Sequence, residues 1–227
     1  MNDYQFTSLT DDSYYDRETK SITHWSEILD LWDEKMKTEI GKKMPVIIND
    51  AINRANIGVI QDPAGSAIGA ETVCGGGASG AIYDTFDLEP IPWINEGDSI
   101  FNSAKGDGKR VLHTHSPTLE GTPHDHDDRM NAVRSLANAY YGAINLFNIS
   151  EFRDGVLNLV PVSASIFAGR FLRRGLGRGH MDPSFTFLAI AIAIGKLLED
   201  GKPVPKMTLY FYDKDVYQRA KEYCITV

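Results

Sequence analysis

The sequence predicts an α/β protein in which a largely parallel sheet lies between layers of helices. Short apolar segments of strand length alternate along the chain with longer segments of helical period. The strand-like segments are apolar at successive positions, which is typical of strands that are buried on both faces. This alternation indicates crossover connections, and therefore a three-layer α/β/α arrangement with helices on both sides of the sheet.

The first part of the chain is predicted to form an extension to this domain. Residues 1–56 read as a polar lead-in and a helical extension, and residues 57–227 as the domain that contains the sheet. Large apolar residues recur at helical spacing before Gly41, with Ser26 as a cap. These residues are Trp25, Ile28, Leu29, Trp32 and Met36. A second helix is predicted to begin at Pro45 and to bury Ile47, Ile48, Ala51, Ile52 and Ala55.

Strands and helices then alternate from residue 57 onwards. The predicted strands are 57–60, 111–115, 157–162 and 208–212. The predicted helices are 81–88, 130–147, 183–201 and 216–224. Asp182 and Pro183 form a strong start signal, because Asp caps helices and Pro suits their first turn. The Gly- and Arg-rich residues 169–180 predict a loop.

Composition and charge exclude several classes of protein. The chain has 227 residues, of which 42% are apolar and 24% charged, so it is neither disordered nor a disulfide scaffold. The formal net charge of −8 argues against nucleic acid as a partner. The two cysteines, Cys74 and Cys224, are far apart in sequence and read as free thiols in a reducing compartment. We therefore expect a cytoplasmic protein.

No segment has the pattern of a targeting signal or a membrane span. Residues 1–20 are polar and acidic and lack the apolar region of a signal peptide. The most apolar window, residues 185–198, is too short to cross a bilayer and contains Gly195 and Lys196. A membrane is therefore not predicted as a partner, although secretion by a route without a signal peptide stays open.

The glycine-rich segment 75–80 is the first candidate for a binding site. Consecutive glycines let the backbone approach a ligand closely and turn its N–H groups towards an anion. A helix predicted directly afterwards adds its positive end. No Lys or Arg occurs between Arg54 and Lys105, so backbone amides would have to hold a phosphate here. A flexible glycine linker is the alternative.

Gly75, Gly77 and Gly80 also match the G-x-G-x-x-G pattern of a dinucleotide-binding Rossmann unit. The apolar run that precedes them is only Thr72-Val73-Cys74, which makes a poor first strand. No acidic residue ends a clear second strand about 20 positions later. A P-loop is excluded because the segment lacks the lysine that such loops require.

Two further segments follow predicted strands and suit a nucleotide. Residues 161–169 combine small residues with two hydroxyls directly after a buried strand, which allows close approach to phosphate or ribose. The alternative is an ordinary turn from strand to helix. Tyr212 ends the last predicted strand, where an aromatic ring can stack on a base or, more commonly, pack in the core.

These segments resemble the macrodomains, a family that binds ADP-ribose. Residues 75–82 read GGGASGAI and are similar to the family's GGGVDGAI signature. Further segments resemble, in the same order, the family's GEA turn, IIHTVGP strand, second phosphate loop, and closing strand and helix. They are residues 97–99, 111–117, 161–168, and 209–213 followed by Tyr217. The resemblance covers roughly residues 57–227 and implies a three-layer macrodomain-like fold.

The resemblance also implies which residues bind ADP-ribose. Backbone amides of the two glycine- and serine-containing loops would hold the diphosphate, Phe167 would pack against the distal ribose, and Tyr212 would stack on adenine. The implied binding residues are Gly75, Gly76, Gly77, Ser79, Gly80, Ser163, Ala164, Ser165, Ile166, Phe167 and Tyr212. ADP-ribose or an ADP-ribosylated protein is the expected partner.

Hydrolysis of the ADP-ribosyl group is the expected activity, with binding alone as the alternative. Ser79 stands where hydrolytic members have Asp, and Ala64 or Gly65 stands where the family has its second Asn. Both departures favour a protein that reads ADP-ribose without turnover. A carboxylate near the anomeric carbon could orient water or stabilise positive charge. The candidate catalytic residues are Asp62, Glu71 and Asp84.

Two other sets of charged residues could contribute to a functional site. Four arginines within residues 170–180 could close over the diphosphate, dock a modified protein or form an exposed insertion. His and Asp residues between 113 and 128 have spacings that can ligate zinc. We expect His113 and His115 to share one face of a strand and the rest to form a solvated loop. No metal ion or other cofactor is therefore predicted, and the sequence does not indicate an oligomeric state.

Overall fold

A six-stranded, largely parallel sheet forms the centre of the computed structural model, which describes residues 32–65, 77–173, 176 and 179–223. Its order is β1-β8-β5-β2-β4-β3, and only the edge strand β3 runs antiparallel to its neighbour. Strands β6 and β7 form a separate hairpin. The strands are β1 (Val46–Ile48), β2 (Val59–Asp62), β3 (Ser99–Phe101), β4 (Val111–Thr114), β5 (Val156–Leu159), β6 (Leu172–Arg173), β7 (His180–Met181) and β8 (Lys206–Tyr210).

Helices cover both faces of this sheet, as the sequence predicts. They are α1 (Glu34–Lys43), α2 (Gly77–Thr85), α3 (His126–Asn148), α4 (Pro183–Glu199) and α5 (Lys214–Lys221). The larger core lies on one face and includes apolar residues of α1, α3, α4 and α5. On the other face, α2 and the short 3-10 helix Ile52–Arg54 enclose a smaller core. The three-layer α/β/α fold is confirmed.

Neighbouring residues of the central strands pack into the cores on opposite faces of the sheet. In β2, Val59 packs into the larger core and Ile60 into the smaller one. In β4, Leu112 packs into the larger core and Val111 into the smaller one. Since successive side chains of a strand point to opposite faces of the sheet, a strand between two helical layers must be apolar on both faces.

Helix starts follow local signals that the sequence shows. Asp182 caps α4 by accepting a hydrogen bond from the Ser184 N–H, and Pro183 lies in the first turn, which confirms the predicted start. Asp125 caps α3, so this helix begins four residues before the predicted Met130. Helix α5 begins after the cap Asp213. Within the part of the chain that the structure describes, no helix is both long and apolar enough to cross a membrane.

The helix predicted from Pro45 is wrong. Residues Val46–Ile48 instead form β1, which pairs in parallel with β8. These three β-branched residues suit a strand, and only the central one, Ile47, is buried. The sheet therefore begins before residue 57, where the sequence places the start of the domain.

Two other elements also differ from expectation. Strand β3 is not predicted, and residues 169–180, predicted as a loop, include the end of a 3-10 helix and the β6–β7 hairpin. The short first strand that the Rossmann alternative requires, residues 72–74, lies outside the described residues. The predicted first helix overlaps α1, which begins after the cap Asp33 and continues past Gly41 to Lys43. The predicted cap Ser26 lies outside the described residues, as do both cysteines, Cys74 and Cys224.

Candidate functional site

A cleft of about 520 Å³ lies along the carboxyl ends of the parallel strands. It is lined by residues that follow five adjacent strands, in the order β1, β8, β5, β2 and β4. These residues are Asp50, Tyr212, Ser163, Pro63 and Ser116 respectively. Five adjacent strand ends span four interstrand spacings, or roughly 19 Å. The cleft is therefore long enough for an extended ligand.

The amino end of α2 faces the cleft. Gly77 has a φ of +61° as the helix begins, a conformation that a residue with a side chain rarely adopts. Gly77, Ala78 and Ser79 line the cleft, whereas Gly80 does not. The first turn of α2 carries no acidic residue, so its free N–H groups and helix dipole favour an anion. Gly75 and Gly76 lie outside the described residues.

The loop after β5 is the second wall of the cleft. Ser163 is the one non-glycine residue with a positive φ, +55°, in the described parts of the chain, and its hydroxyl donates to the Pro117 carbonyl at 2.6 Å. The buried Tyr140 hydroxyl donates to the Val160 carbonyl and accepts from the Val162 N–H, both at 2.9 Å. These bonds hold a strained backbone in place, as is common where a loop contacts a ligand.

Residues of this loop reach the cleft as the sequence predicts. Ser163, Ala164, Ser165 and Phe167 line it, and Ile166 begins a 3-10 helix. The Phe167 ring lies directly over Gly65, where an added Cβ would come within 2.2 Å of the ring. The structure thus brings together the loop after β5, the start of α2 and the loop after β2.

The end of the cleft next to β1 and β8 combines an aromatic ring with a carboxylate. Tyr212 is 83% exposed and lines the cleft beside the Asp50 loop. Asp50 accepts hydrogen bonds from its neighbour Ala51 N–H at 2.7 Å and from Arg54 at 3.0 Å. Burial, followed by the charge of Asp50, raises the pKa of Tyr210 in the adjacent strand. The sequence does not predict Asp50, because the residues before it are assigned to a helix and not to a strand.

The structure places Asp62 outside the cleft, which corrects its expected role. Asp62 and His113 are fully buried and 2.6 Å apart, on the face of the sheet that α2 covers. Asn102 accepts from the Glu89 and Ala104 N–H groups, so its amide N–H must donate to His113 Nε2. His113 Nδ1–H then donates to Asp62. This pairing occupies Asp62 Oδ2, while Oδ1 is buried and has no hydrogen-bond partner among the described residues.

The other candidate carboxylates differ in position. Asp84 is exposed on α2 and does not line the cleft, so the structure does not support it as a catalytic residue. Glu71 lies outside the described residues. The carboxylates that do line the cleft in the described regions are Asp50 and Asp213, at the end that carries Tyr212.

The arginine-rich insertion is partly structural. Arg173 pairs with the buried Asp182 at 2.8 Å, which joins the β6–β7 hairpin to α4. Arg170 is exposed, and Arg174 and Arg178 lie outside the described residues. No group of His, Cys, Asp or Glu residues within the described ranges could hold a metal ion.

Comparisons with known proteins identify the fold. No family model and no curated protein matches the sequence. Alphavirus P23pro-zbd matches with a TM-score of 0.53 at 20% identity over 78% of this chain, which spans 23% of the viral chain. An Oceanobacillus iheyensis macrodomain mutant with ADPR matches with a TM-score of 0.53 at 18% identity, covering 78% of this chain and 89% of that one.

A third solved structure, from a different organism, also matches the fold of this chain. The Trypanosoma brucei macrodomain in complex with ADP-ribose has a TM-score of 0.52 at 16% identity and covers 78% of this chain and 67% of its own. At such identities the likeness establishes the fold alone. The protein therefore has the macrodomain fold in a widely diverged sequence.

Proposed function

We propose that the chain binds ADP-ribose in this cleft, with the diphosphate held by main-chain amides. One observation carries the proposal: the start of α2 and the loop after β5 line the same cleft although 86 residues separate Gly77 from Ser163. Both segments bring small residues and backbone N–H groups to the centre of the cleft. Amides presented by a helix start and a strained loop form a favourable anion site.

The charges around the cleft support amides as the main phosphate ligands. In the described part of the chain no lysine lines the cleft, and the one arginine that does, Arg54, is paired with Asp50. His180 lies near Asp213, with 4.0 Å between Nε2 and Oδ2. An ordinary cation-based phosphate site would present unpaired basic side chains. Among the residues that the structure describes, the positive potential for a phosphate therefore comes from the backbone.

The end that carries Tyr212 suits the adenine base. An exposed ring at the edge of a cleft can stack on a base, and a carboxylate such as that of Asp50 can accept a hydrogen bond from its amino group. The solved macrodomains that share the fold include complexes with ADP-ribose and ADP, which supports the same ligand here. The diphosphate would then lie at the centre of the cleft and the distal ribose near Gly65 and Phe167.

Calorimetry with ADP-ribose, ADP, AMP and NAD tests this proposal. We expect micromolar binding of ADP-ribose, weaker binding of AMP and NAD, and a loss of less than about threefold between low and high salt, because neutral amides form the contacts. Tyr212→Ala should weaken ADP-ribose binding at least about tenfold by removing a base-stacking ring. Trp93→Ala is the matched control, since Trp93 is 71% exposed and does not line the cleft. Preference for NAD, or equal losses in both variants, would contradict the proposal.

We further propose that the chain releases ADP-ribose from modified proteins, with Glu71 as the carboxylate that acts on water. Of the three candidate carboxylates, Asp62 is buried against His113, and Asp84 is exposed and does not line the cleft. Asp50 and Asp213, which do line the cleft, lie at the end that carries Tyr212, so Glu71 is the candidate we retain. Glu71→Gln should therefore lower release from a mono-ADP-ribosylated protein by about a hundredfold or more.

Asp62→Asn is the control for this second proposal. Asn can still accept the hydrogen bond from His113 Nδ1–H, so release should stay within about threefold of wild type. If Glu71→Gln remains fully active, the assignment of Glu71 is wrong. A wild-type chain that binds ADP-ribose and releases none would be a reader of the modification.

A further inference from the structure

Trp93 is a large apolar side chain that the fold leaves open to solvent. Of the two tryptophans within the described ranges, Trp32 is 9% exposed and Trp93 is 71% exposed. Trp93 lies in the loop that joins α2 to β3, next to the exposed Pro92. Tryptophan is enriched among the residues that contribute most to protein interfaces, so an indole ring left in solvent is a candidate contact for a partner.

The indole ring is held in place beside His115. The two rings lie edge to face, with centroids 5.5 Å apart and an interplanar angle of 82°. His115 is 7% exposed, and its Nδ1–H donates to the Ile94 carbonyl at 2.8 Å, which ties the histidine to the loop that carries Trp93. A ring that is already ordered loses little conformational entropy when a partner binds.

Trp93 lies just beyond the end of the cleft at β4. Ser116, the residue after His115, lines the cleft, whereas Trp93 itself does not. Strand β4 lies beside β2, whose loop carries Gly65, and β3 follows β4 at the edge of the sheet. The proposed binding mode puts the distal ribose near Gly65, so a protein attached to that ribose would leave the cleft on the side of Trp93.

The charges of the same region are all negative. The described residues 77–104 contain five carboxylates, each of them exposed, and no Lys, Arg or His. They are Asp84, Asp87, Glu89, Glu96 and Asp98. Glu96 accepts hydrogen bonds from the N–H of Thr118 at 3.1 Å and from its hydroxyl at 2.8 Å. Asp98 accepts one from the side-chain amide of Asn95 at 3.1 Å. Because these donors are neutral, the negative charge on both carboxylates is left for a partner to meet.

We propose that Trp93, Glu96 and Asp98 form a docking face for a basic segment of the protein that carries the ADP-ribosyl group. This inference rests on the proposed function and adds the substrate class, which is modified proteins with Lys or Arg close to the modified residue. A Lys or Arg side chain can lie over the indole face and approach the carboxylates, since both attract a cation. The same carboxylates would repel an acidic segment.

Calorimetry with peptides joined to ADP-ribose by a hydrolysis-resistant linkage tests this face. One peptide has Lys and Arg beside the linkage, a second has Asp and Glu there, and free ADP-ribose is the reference. Wild type should bind the basic conjugate about tenfold more tightly than free ADP-ribose, and the acidic conjugate no more tightly than free ADP-ribose. The gain for the basic conjugate should fall at least about threefold between about 0.05 M and 0.5 M salt, because exposed charges are screened.

Trp93→Ala should remove most of the gain for the basic conjugate and leave the affinity for free ADP-ribose unchanged. Ile149→Ala is the matched control, since Ile149 is 74% exposed at the end of α3 and does not line the cleft. This control should bind both ligands as wild type does.

The two carboxylates are tested together by charge-neutral substitutions of the same shape. Glu96→Gln with Asp98→Asn should lower the affinity for the basic conjugate about threefold or more and leave free ADP-ribose affinity unchanged. Glu34→Gln with Glu151→Gln removes the same net charge from two exposed positions outside the loop, so this pair should change the conjugate affinity less than about twofold.

Two results would overturn the docking face and leave the proposed binding of ADP-ribose intact. One is equal affinity of wild type for the basic and acidic conjugates, and the other is a Trp93→Ala variant that keeps the full gain. A wild-type chain that binds neither free ADP-ribose nor a conjugate would instead overturn the proposed function, and this inference with it.

Discussion

Replacement of Asp182 by alanine is expected to destabilise the folded chain by about 3–5 kcal/mol. Its carboxylate is fully buried and accepts hydrogen bonds from Arg173 at 2.8 Å, the Tyr223 hydroxyl at 2.9 Å and the Ser184 N–H at 3.0 Å. Alanine removes the acceptor of these three hydrogen bonds and the cap of α4. Denaturant unfolding at neutral pH measures the loss, and a change below about 1 kcal/mol would contradict the structural role.

The stability that the Asp182 carboxylate contributes should also be lost at acid pH. Burial alone would raise the pKa of Asp182, but hydrogen bonds from Ser184 and the charge of Arg219 outweigh it and lower the pKa below its usual 3.8. A carboxyl group with a lowered pKa stabilises the folded state above its unfolded pKa, and this contribution is lost as the pH falls through the folded value. The stability difference between wild type and Asp182→Asn should thus be constant above about pH 5 and shrink below about pH 4. A difference independent of pH would show that charge plays no part.

The start of α4 could be predicted because its cause is local. Asp182 caps the first turn and Pro183 lies within it, and both effects depend on adjacent residues alone. The apolar strands β2, β4 and β5 are predictable for a similar reason, since a strand covered on both faces is apolar at consecutive positions. The order of these strands cannot be read from any single segment.

Strand β1 could not be predicted in this way because its cause is distant. Val46–Ile48 follows a proline and suits either a helix or a strand, and its pairing with β8, some 160 residues away, decides the outcome. Because these residues are assigned to a helix, the sequence does not predict Asp50 as a cleft residue. Asp50 reaches the cleft because it follows the strand β1. Gly77, Ser79 and residues 163–165 and 167 line the cleft, and the sequence can propose them because they follow or precede elements with clear local patterns.

Asp62 shows the limit of motif reasoning for a catalytic residue. Its position after an apolar strand suggests a place at the sheet edge, but strand β2 continues through Asp62, in register with His113 of β4. The side chain therefore points under α2 and not into the cleft. Sequence alternation indicates that Ile60 and Asp62 share a face, but nothing in the sequence shows that α2 closes that face.

Gly65→Ala is expected to lower ADP-ribose affinity roughly ten- to a hundredfold. The new methyl group would lie within 2.2 Å of the Phe167 ring tip, so the ring must move away from the position at which we propose that it contacts the ribose. Overpacking of this kind costs about 1–3 kcal/mol, which corresponds to that loss if binding absorbs it. The φ of Gly65 lies outside the left-handed region, so alanine brings no backbone strain, and the thermal unfolding temperature should change little.

A double-mutant cycle with Phe167→Ala shows whether the ring transmits this effect. Phe167→Ala alone should weaken binding by about tenfold through loss of the ring contact. Because the truncated side chain leaves space for the new methyl group, Gly65→Ala should add almost nothing in the double variant, and the two losses should be strongly non-additive. Additive losses would mean that Gly65 acts without Phe167, for example through its own backbone contact with the ligand. The non-additive result would place both residues at one point on the ligand and would tie the ribose to the part of the cleft that Gly65 and Phe167 line.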